Sequence, residues 1–299
     1  MEKIHYTSCP ICGSHDIQYC LTALDHTVSG ESFEIFHCNH CAGRFTQDVP
    51  SPSAIGRYYQ SSKYISHSDT TKGLVNKMYH RVRAITLNQK RRLIENVSAV
   101  TKGKLLDIGA GTGMFVQTMS SAGWDVKGLE PDEGARKVAA RSNVQLDELT
   151  TFFSLEKESF DVITLWHVLE HVHQLHEYVE RFGKLLRAQG TLVIAVPNYT
   201  SQDASHYGPY WAAYDVPRHL YHFSPESMDM LLRNHHFSLK HVYPQWFDSF
   251  YVSLLSEEYK TGKSNLLSGA WEGMASNVAA VGNKKKCSSL IYVATAAIN

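Results

Sequence analysis

From residue 104 onward, short apolar runs take turns with stretches whose apolar positions recur every three to four residues. Residues 104–108 read as a strand running into a glycine turn, and Phe115, Val116 and Met119 then open a helical apolar face. Residues 125–129 read as a second strand. Residues 161–165 read as a buried, β-branched strand after a surface loop at 156–159. A helix over 176–188 ends at Gly190, and a strand over 191–196 is closed by Pro197-Asn198. Ser224, Pro225 and Ser227 mark a helix start as N-cap, N1 and N3, with the helix itself over 228–233. The tail predicts a strand at 239–243, a small-residue helical insertion around 266–281, a turn at Lys284-Lys285-Lys286 and a last strand at 289–294. Ahead of the first glycine turn, Met78, Val82, Ile85, Leu93, Ile94 and Val97 fit a helix over 72–97, with Arg81, Arg83, Lys90, Arg91 and Arg92 mostly off its stripe. Alternating strands and helices predict an α/β fold around a parallel sheet.

Composition narrows the class. The 299 residues are 43% hydrophobic and 19% charged, enough for a real core. No run approaches the roughly 20 apolar residues of a membrane span. Met1 to Tyr6 lacks the apolar core of a secretory signal, so a reducing cytoplasm is expected. The formal charge is zero, with 29 basic and 29 acidic side chains, but it is unevenly spread. Residues 1–56 carry 2 basic and 6 acidic groups, 57–104 carry 11 and 2, and the remainder 16 and 21. The chain therefore reads as an acidic front module, a basic connector and a mildly acidic body. The connector is a solvated helix face in the plain reading, and an anion-steering surface in the sharper one.

Six cysteines in a reducing compartment point to metal ligands before disulfides. Cys9-Pro10-Ile11-Cys12 and Cys38-Asn39-His40-Cys41 are two C-x-x-C knuckles separated by 25 residues, the spacing of a tetrahedral zinc site. Residues 34–37 read as a strand leading into the second knuckle. Four thiolates leave no open position, so the Zn2+ would be structural, without help from His37 or His40. Cys20 and Cys287 are left as ordinary thiols. The stretch 48–53, with Pro50 and Pro52, is the linker signal.

Asp107, Gly109, Ala110, Gly111 and Gly113 make up the turn after the first strand, and Glu130 ends the second. Glycines let backbone approach a bound cofactor at the carboxyl end of the sheet, and an acid there takes both hydroxyls of a ribose. A dinucleotide fingerprint would want a third glycine where Met114 stands, and has no use for Asp107. The D-x-G-x-G-x-G spacing resembles class I S-adenosylmethionine-dependent methyltransferases, and Leu169-Glu170-His171 after the 161–165 strand is similar to a triplet common in that family. The resemblance implies a Rossmann-like seven-stranded sheet and Glu130 as the ribose acid. It also implies Trp166 and His167 along the cofactor and Asp147, after the third strand, at the adenine amino group; Glu148 or a backbone contact is the alternative there.

Between Tyr207 and Ser224 lies a run dense in histidine and aromatic residues. Its Pro217-Arg218-His219-Leu220-Tyr221-His222-Phe223-Ser224 resembles a signature of zinc-module methyltransferases that tailor sugars, polysaccharides and polyketides. Tyr210 and Tyr214 suit a sugar ring or an apolar acceptor, and Arg218 suits an anionic one. His219 or His222, with His167 third, is the expected general base; tying down a loop is the plain reading for each histidine. Tyr58-Tyr59 and Lys63-Tyr64 resemble a tyrosine-rich cover over the cofactor pocket. The expected organisation is a zinc module at 1–50, a linker at 51–74 and a methyltransferase domain at 75–299, acting on a small-molecule acceptor. The acidic front module argues against a zinc-ribbon RNA methyltransferase. Cofactor binding without turnover, and a nicotinamide oxidoreductase, are the remaining alternatives.

Overall fold

The computed structural model describes residues 2–60, 74–263 and 266–296. Lys63 and Tyr64, with the side chains of Met78 and Arg81, lie outside what it describes. The central sheet has the parallel strands β6 (Lys104–Ile108), β7 (Asp125–Leu129), β8 (Phe160–Trp166) and β9 (Leu186–Pro197). β12 (Ser289–Ala296) pairs antiparallel with β9, and β11 (Phe237–Pro244) with β12, giving the order β11-β12-β9-β8-β6-β7. Among the described residues six strands replace the expected seven. The third-strand position has shrunk to a single parallel bridge, Leu129 to Asp147, held by Glu130 N–H donating to Asp147 O at 2.9 Å and Asp147 N–H to Gly128 O at 3.0 Å. Val144 and Leu146 still bury as alternating strand residues would, but Leu149–Ser154 turns at once into a 3-10 segment.

Helices α1 (Leu74–Val97), α2 (Met114–Ser121), α3 (Glu133–Arg141), α4 (Leu175–Leu185), α5 (Gln202–Tyr207) and α6 (Pro225–Asn234) precede or connect these strands along the chain. α6 starts on the expected Ser224 cap, with Ser227 returning the bond in a capping box. α4 is shorter than expected and β9 longer. Leu186 pairs with Phe160, residues 187–189 bulge outward through Gln189 at φ 64°, and Thr191 rejoins opposite Val162. The burial of α1 differs from its expected stripe. Ile85 is 48% exposed, while Leu87, Lys90, Ile94 and Val97 share the inward line, so Lys90 lies on the buried side.

Two further helices, α7 (Asp248–Thr261) and α8 (Leu266–Gly282), form a hairpin beside the sheet. α7 escapes apolar periodicity because its buried stripe is polar: Ser249, Ser253, Ser256 and Glu257. Glycines of α8 let the two helices approach closely at Phe250 and Leu254. A Cβ on Gly273 would lie 2.9 Å from Phe250 Cα, and one on Gly269 2.8 Å from Leu254 Cα.

The first fifty residues fold as β1 (Lys3–Ile4), β2 (Ile17–Leu24), β3 (Ser32–Cys38), β4 (Arg44–Thr46) and β5 (Val49–Pro50). The sheet β10-β4-β3-β2 takes its edge strand, β10 (Tyr221–His222), from the histidine-rich segment. Cys9, Ile11, Cys38, Cys41 and Phe45 also share one buried cluster with Ile108, Leu165, Leu220 and Phe223. Arg218 fastens the same junction. Its guanidinium, 1% exposed, donates to Asp25 Oδ1 at 3.0 Å, to both oxygens of Asp215 at 2.6 and 3.0 Å and to Tyr58 O at 2.8 Å. Removing one partner of a buried ion pair strands the others. Arg218→Met should therefore cost about 3–5 kcal/mol, lowering the melting temperature by roughly 10 °C. A thermal melt within about 3 °C of wild type would contradict that placement.

Candidate active site

At the mouth of β6 the chain turns sharply. Gly109 and Ala110 donate N–H bonds to Leu129 O at 2.8 and 2.9 Å, and Gly113 donates to Ala110 O at 2.9 Å. Gly109 sits at φ 70° with Val168 Cγ2 only 2.4 Å from where a Cβ would be, so only glycine fits. Gly111, at φ 55°, faces open space. Glu130 closes the turn: Oε2 accepts from Gly111 N at 2.7 Å and Oε1 from Asp132 N at 2.9 Å. Burial raises its carboxyl above the usual range, against the pull of those two amides. A carboxylate has about four lone-pair sites, so two remain for a ligand's hydroxyls.

Asp107 lies 1% exposed beneath the turn and accepts a 2.7 Å bond from Thr164 Oγ1. Burial lifts its carboxyl from 3.8 to about 7, with the Thr164 bond and Lys90 opposing and Glu130 adding to the rise. The sign follows. A folded-state pKa above the unfolded value makes the folded chain hold the proton, so stability falls as pH rises from about 4 to about 7. Asp107→Asn should abolish this fall and gain on the order of a few kcal/mol at pH 8. Melting curves across that range check it; parallel pH profiles for both proteins would contradict it.

Trp166 ends β8. Its ring packs edge-on against Phe115 at 5.4 Å, Lys90 Nζ lies 4.2 Å from its centroid, and its buried Nε1 has no hydrogen-bond partner among the described residues. Burial pulls the Lys90 ammonium down, opposed by the charges of Asp248 and Asp107. Lys90 is thus a site residue that periodicity misplaced. The signal available was its i, i+4 and i+7 spacing to Ile94 and Val97. Asp147 stands at the edge of the site, with its carboxylate paired to Lys127 Nζ.

His167 follows at φ 59°, a conformation rare outside glycine, with its N–H on Ala195 O at 2.9 Å. Its Nε2 lies 2.8 Å from Asp248 Oδ2 and its Nδ1 3.5 Å from Glu170 Oε1. Burial would depress it, but Asp248 and then Glu170 prevail and lift its pKa to about 10. His219 donates from Nδ1 to Ala213 O at 2.8 Å and packs edge-on against His171, ring centres 4.6 Å apart. His222 is 3% exposed, with Nε2 at 3.1 Å from Thr46 Oγ1, and burial holds it well below the usual histidine range. Tyr214 is buried and accepts from Arg44 at 2.7 Å, whereas Tyr210 is 42% exposed. Arg218, expected to meet an anionic acceptor, is instead spent on Asp25 and Asp215, and this leaves it no open face.

The residues present fit both groups implied by the sequence. For the methyl donor the fit rests on the open space above Gly111, the buried carboxylates of Asp107 and Glu130, and the unpartnered Trp166 Nε1. For zinc it rests on the sulfurs. Cys9 and Cys41 lie 3.6 Å apart, Cys12 and Cys38 likewise, and all four converge within 4.8 Å. Zn–S bonds of about 2.3 Å set tetrahedral sulfurs roughly 3.8 Å apart. Gly13 and Ala42, both at positive φ, turn the two knuckles, and neither His37 nor His40 joins the group.

Comparison with known proteins bears on the domain around this turn. The methyltransferase domain family matches residues 78–242, more than half of the chain. A ubiquinone biosynthesis O-methyltransferase of Bartonella tribocorum is 33% identical over 104 residues, 32% of this chain and 42% of that protein. The same-named protein of Mesorhizobium japonicum is 35% identical over 104 residues, again 32% and 42%. The chain thus spans less than half the length of these curated relatives. Among solved structures, a SAM-dependent methyltransferase from Archaeoglobus fulgidus superposes with a TM-score of 0.50 at 18% identity, over 71% of this chain and 94% of that one. At that identity it speaks for the fold alone, whereas the family match, ending at the bulged β11, takes in the glycine turn, Glu130 and the histidine-rich segment. The chain belongs to the methyltransferase domain family.

Proposed function

We propose that this protein transfers a methyl group from S-adenosylmethionine to a small-molecule acceptor, a sugar, glycan precursor or related metabolite. The observation that carries this reading is the cradle of Asp107, Gly111 and Glu130, with open space above Gly111. When bound, S-adenosylmethionine supplies an electrophilic methyl on a sulfonium. Glu130 would take the ribose hydroxyls on its two remaining lone-pair sites, while Asp107 offers negative charge to the cationic end. Trp166 and Phe115 would wall the cleft and keep water out. Positioning and desolvation then supply most of the acceleration, because charge disappears in the transfer.

Three histidines divide by their contacts. His167, held charged by Asp248, serves as a donor and not as a base. His222 is tied to Thr46 away from the cleft. His219 keeps its Nε2 lone pair once Nδ1–H is given to Ala213 O, so the acceptor's reacting group is received at that corner. The names of the relatives favour oxygen as the methylated atom. The zinc module at 1–50, with four thiolates that suit a reducing cytoplasm, supports the 75–299 domain through β10, and 51–74 joins them. No helix among the described residues is long and apolar enough to cross a membrane. The test is transfer of a labelled methyl to cell extract separated by size. Label in the low-mass fraction, identified by mass spectrometry, supports the reading; label in RNA alone overturns it.

A further inference from the structure

The corner beside His219 holds more than one histidine. Glu170 and His171 lie on the 3-10 turn Leu169–His171 after β8, and Leu220 N–H on Glu170 O at 2.8 Å draws the His219 segment against that turn. One ligand atom from each of Glu170, His171 and His219 lies within 4.8 Å of the others. Glu170 is fully buried, and neither of its carboxylate oxygens has a hydrogen-bond partner among the described residues. His167 Nδ1 lies at an ion-pair distance of 3.5 Å from Oε1. A buried carboxylate without hydrogen bonds is costly, and a bound cation removes that cost.

The two imidazoles are oriented alike. His171 Nδ1 lies 3.0 Å from Arg218 O and 3.1 Å from the Tyr59 hydroxyl, and His219 Nδ1 lies 2.8 Å from Ala213 O. A carbonyl oxygen only accepts, so each Nδ1 carries the proton and each ring is left with its Nε2 lone pair. Backbone carbonyls fix metal-binding histidines in this way. Asp215, the other acid near His219 at 3.9 Å, is already bound to Arg218.

We propose that Glu170, His171 and His219 bind a divalent first-row transition cation, with open coordination positions facing the acceptor. Two imidazoles and one carboxylate suit Mn2+, Fe2+, Co2+ or Zn2+ better than they suit the all-oxygen ions Mg2+ and Ca2+. This site is separate from the four-cysteine centre, and its three protein ligands leave room for ligands from outside. The role toward substrate rests on the methyltransferase reading: the ion holds an acceptor hydroxyl and lowers its pKa, so its proton passes to water before the oxygen is methylated. His219 then serves as a ligand and not as the base.

Mn2+ is the probe, because thiolate sites disfavour it. Full-length protein carrying one zinc per chain is titrated with Mn2+, and free ion is read by electron paramagnetic resonance. One further ion should bind per chain. Glu170→Gln and His219→Asn should each weaken it by about tenfold or more, while retaining the first zinc and wild-type affinity for S-adenosylmethionine. Those two controls report folding and keep failure of the metal site distinct from failure of the methyltransferase reading. No second ion at about 1 mM Mn2+, or undiminished binding in both variants, overturns the proposal. It would leave Glu170 as the buried counter-ion of His167.

Discussion

Stripping the zinc proposed for the four-cysteine centre should lower the melting temperature of the whole chain by roughly 10 °C or more. Structural zinc sites contribute folding free energy directly, and a loss of about 4 kcal/mol in a chain of this size corresponds to that shift. In a loosely tethered module the loss would stay local. Here Cys9, Cys38 and Cys41 are 1%, 0% and 1% exposed and belong to the same cluster as Ile108, Leu220 and Phe223. β4 hydrogen-bonds to β10, and Thr46 Oγ1 donates to His219 O at 2.7 Å. Asp25 of the module is the buried partner of Arg218. Loss of the ion should therefore loosen the segment from Trp211 to His222 along with the knuckles. Calorimetry with hydrogen exchange reads both effects. A separate low-temperature transition, with exchange unchanged in residues 211–222, would show that the module melts alone.

Glu130→Ala should weaken binding of S-adenosylmethionine by about a hundredfold. Two effects combine. The variant removes the acceptors proposed for the ribose hydroxyls, and hydrogen bonds to a charged group contribute about 1.5–3 kcal/mol each. It also removes the anchor of Gly111 N–H and Asp132 N–H, so the glycine turn loses the bond that closes it. Glu130→Gln, which retains one acceptor, should fall between the two. Calorimetric titration measures all three, and a change below about fivefold for the alanine variant would remove Glu130 from the site.

The parts of this molecule that were legible in the sequence are those where a local pattern carries the chemistry. The C-x-x-C pairs and the D-x-G-x-G-x-G turn specify their own backbone geometry, and the structure brings each set together. The Ser224 cap was legible for the same reason. What escaped depends on contacts between distant segments. Lys90 reads as a surface cation because charge outweighs position on an otherwise apolar line. α7 buries serines, so its inward face leaves no hydrophobic signature. The third strand kept its alternation but only one bridge of its pairing. Arg218 looked like an anion ligand because nothing near it in sequence announced Asp25 as a partner. Glu170 sat in a recognisable triplet, yet its burial without a hydrogen bond appears only once β8, the 3-10 turn and the His219 segment are packed.

Equilibrium dialysis of methyl-labelled S-adenosylmethionine against the full chain, with NAD as competitor, tests the central claim most directly. One mole of cofactor should bind per mole of chain, undisplaced by NAD and about a hundredfold more weakly in Glu130→Ala. Absence of binding in the folded wild type, or displacement of the label by NAD, would contradict the account.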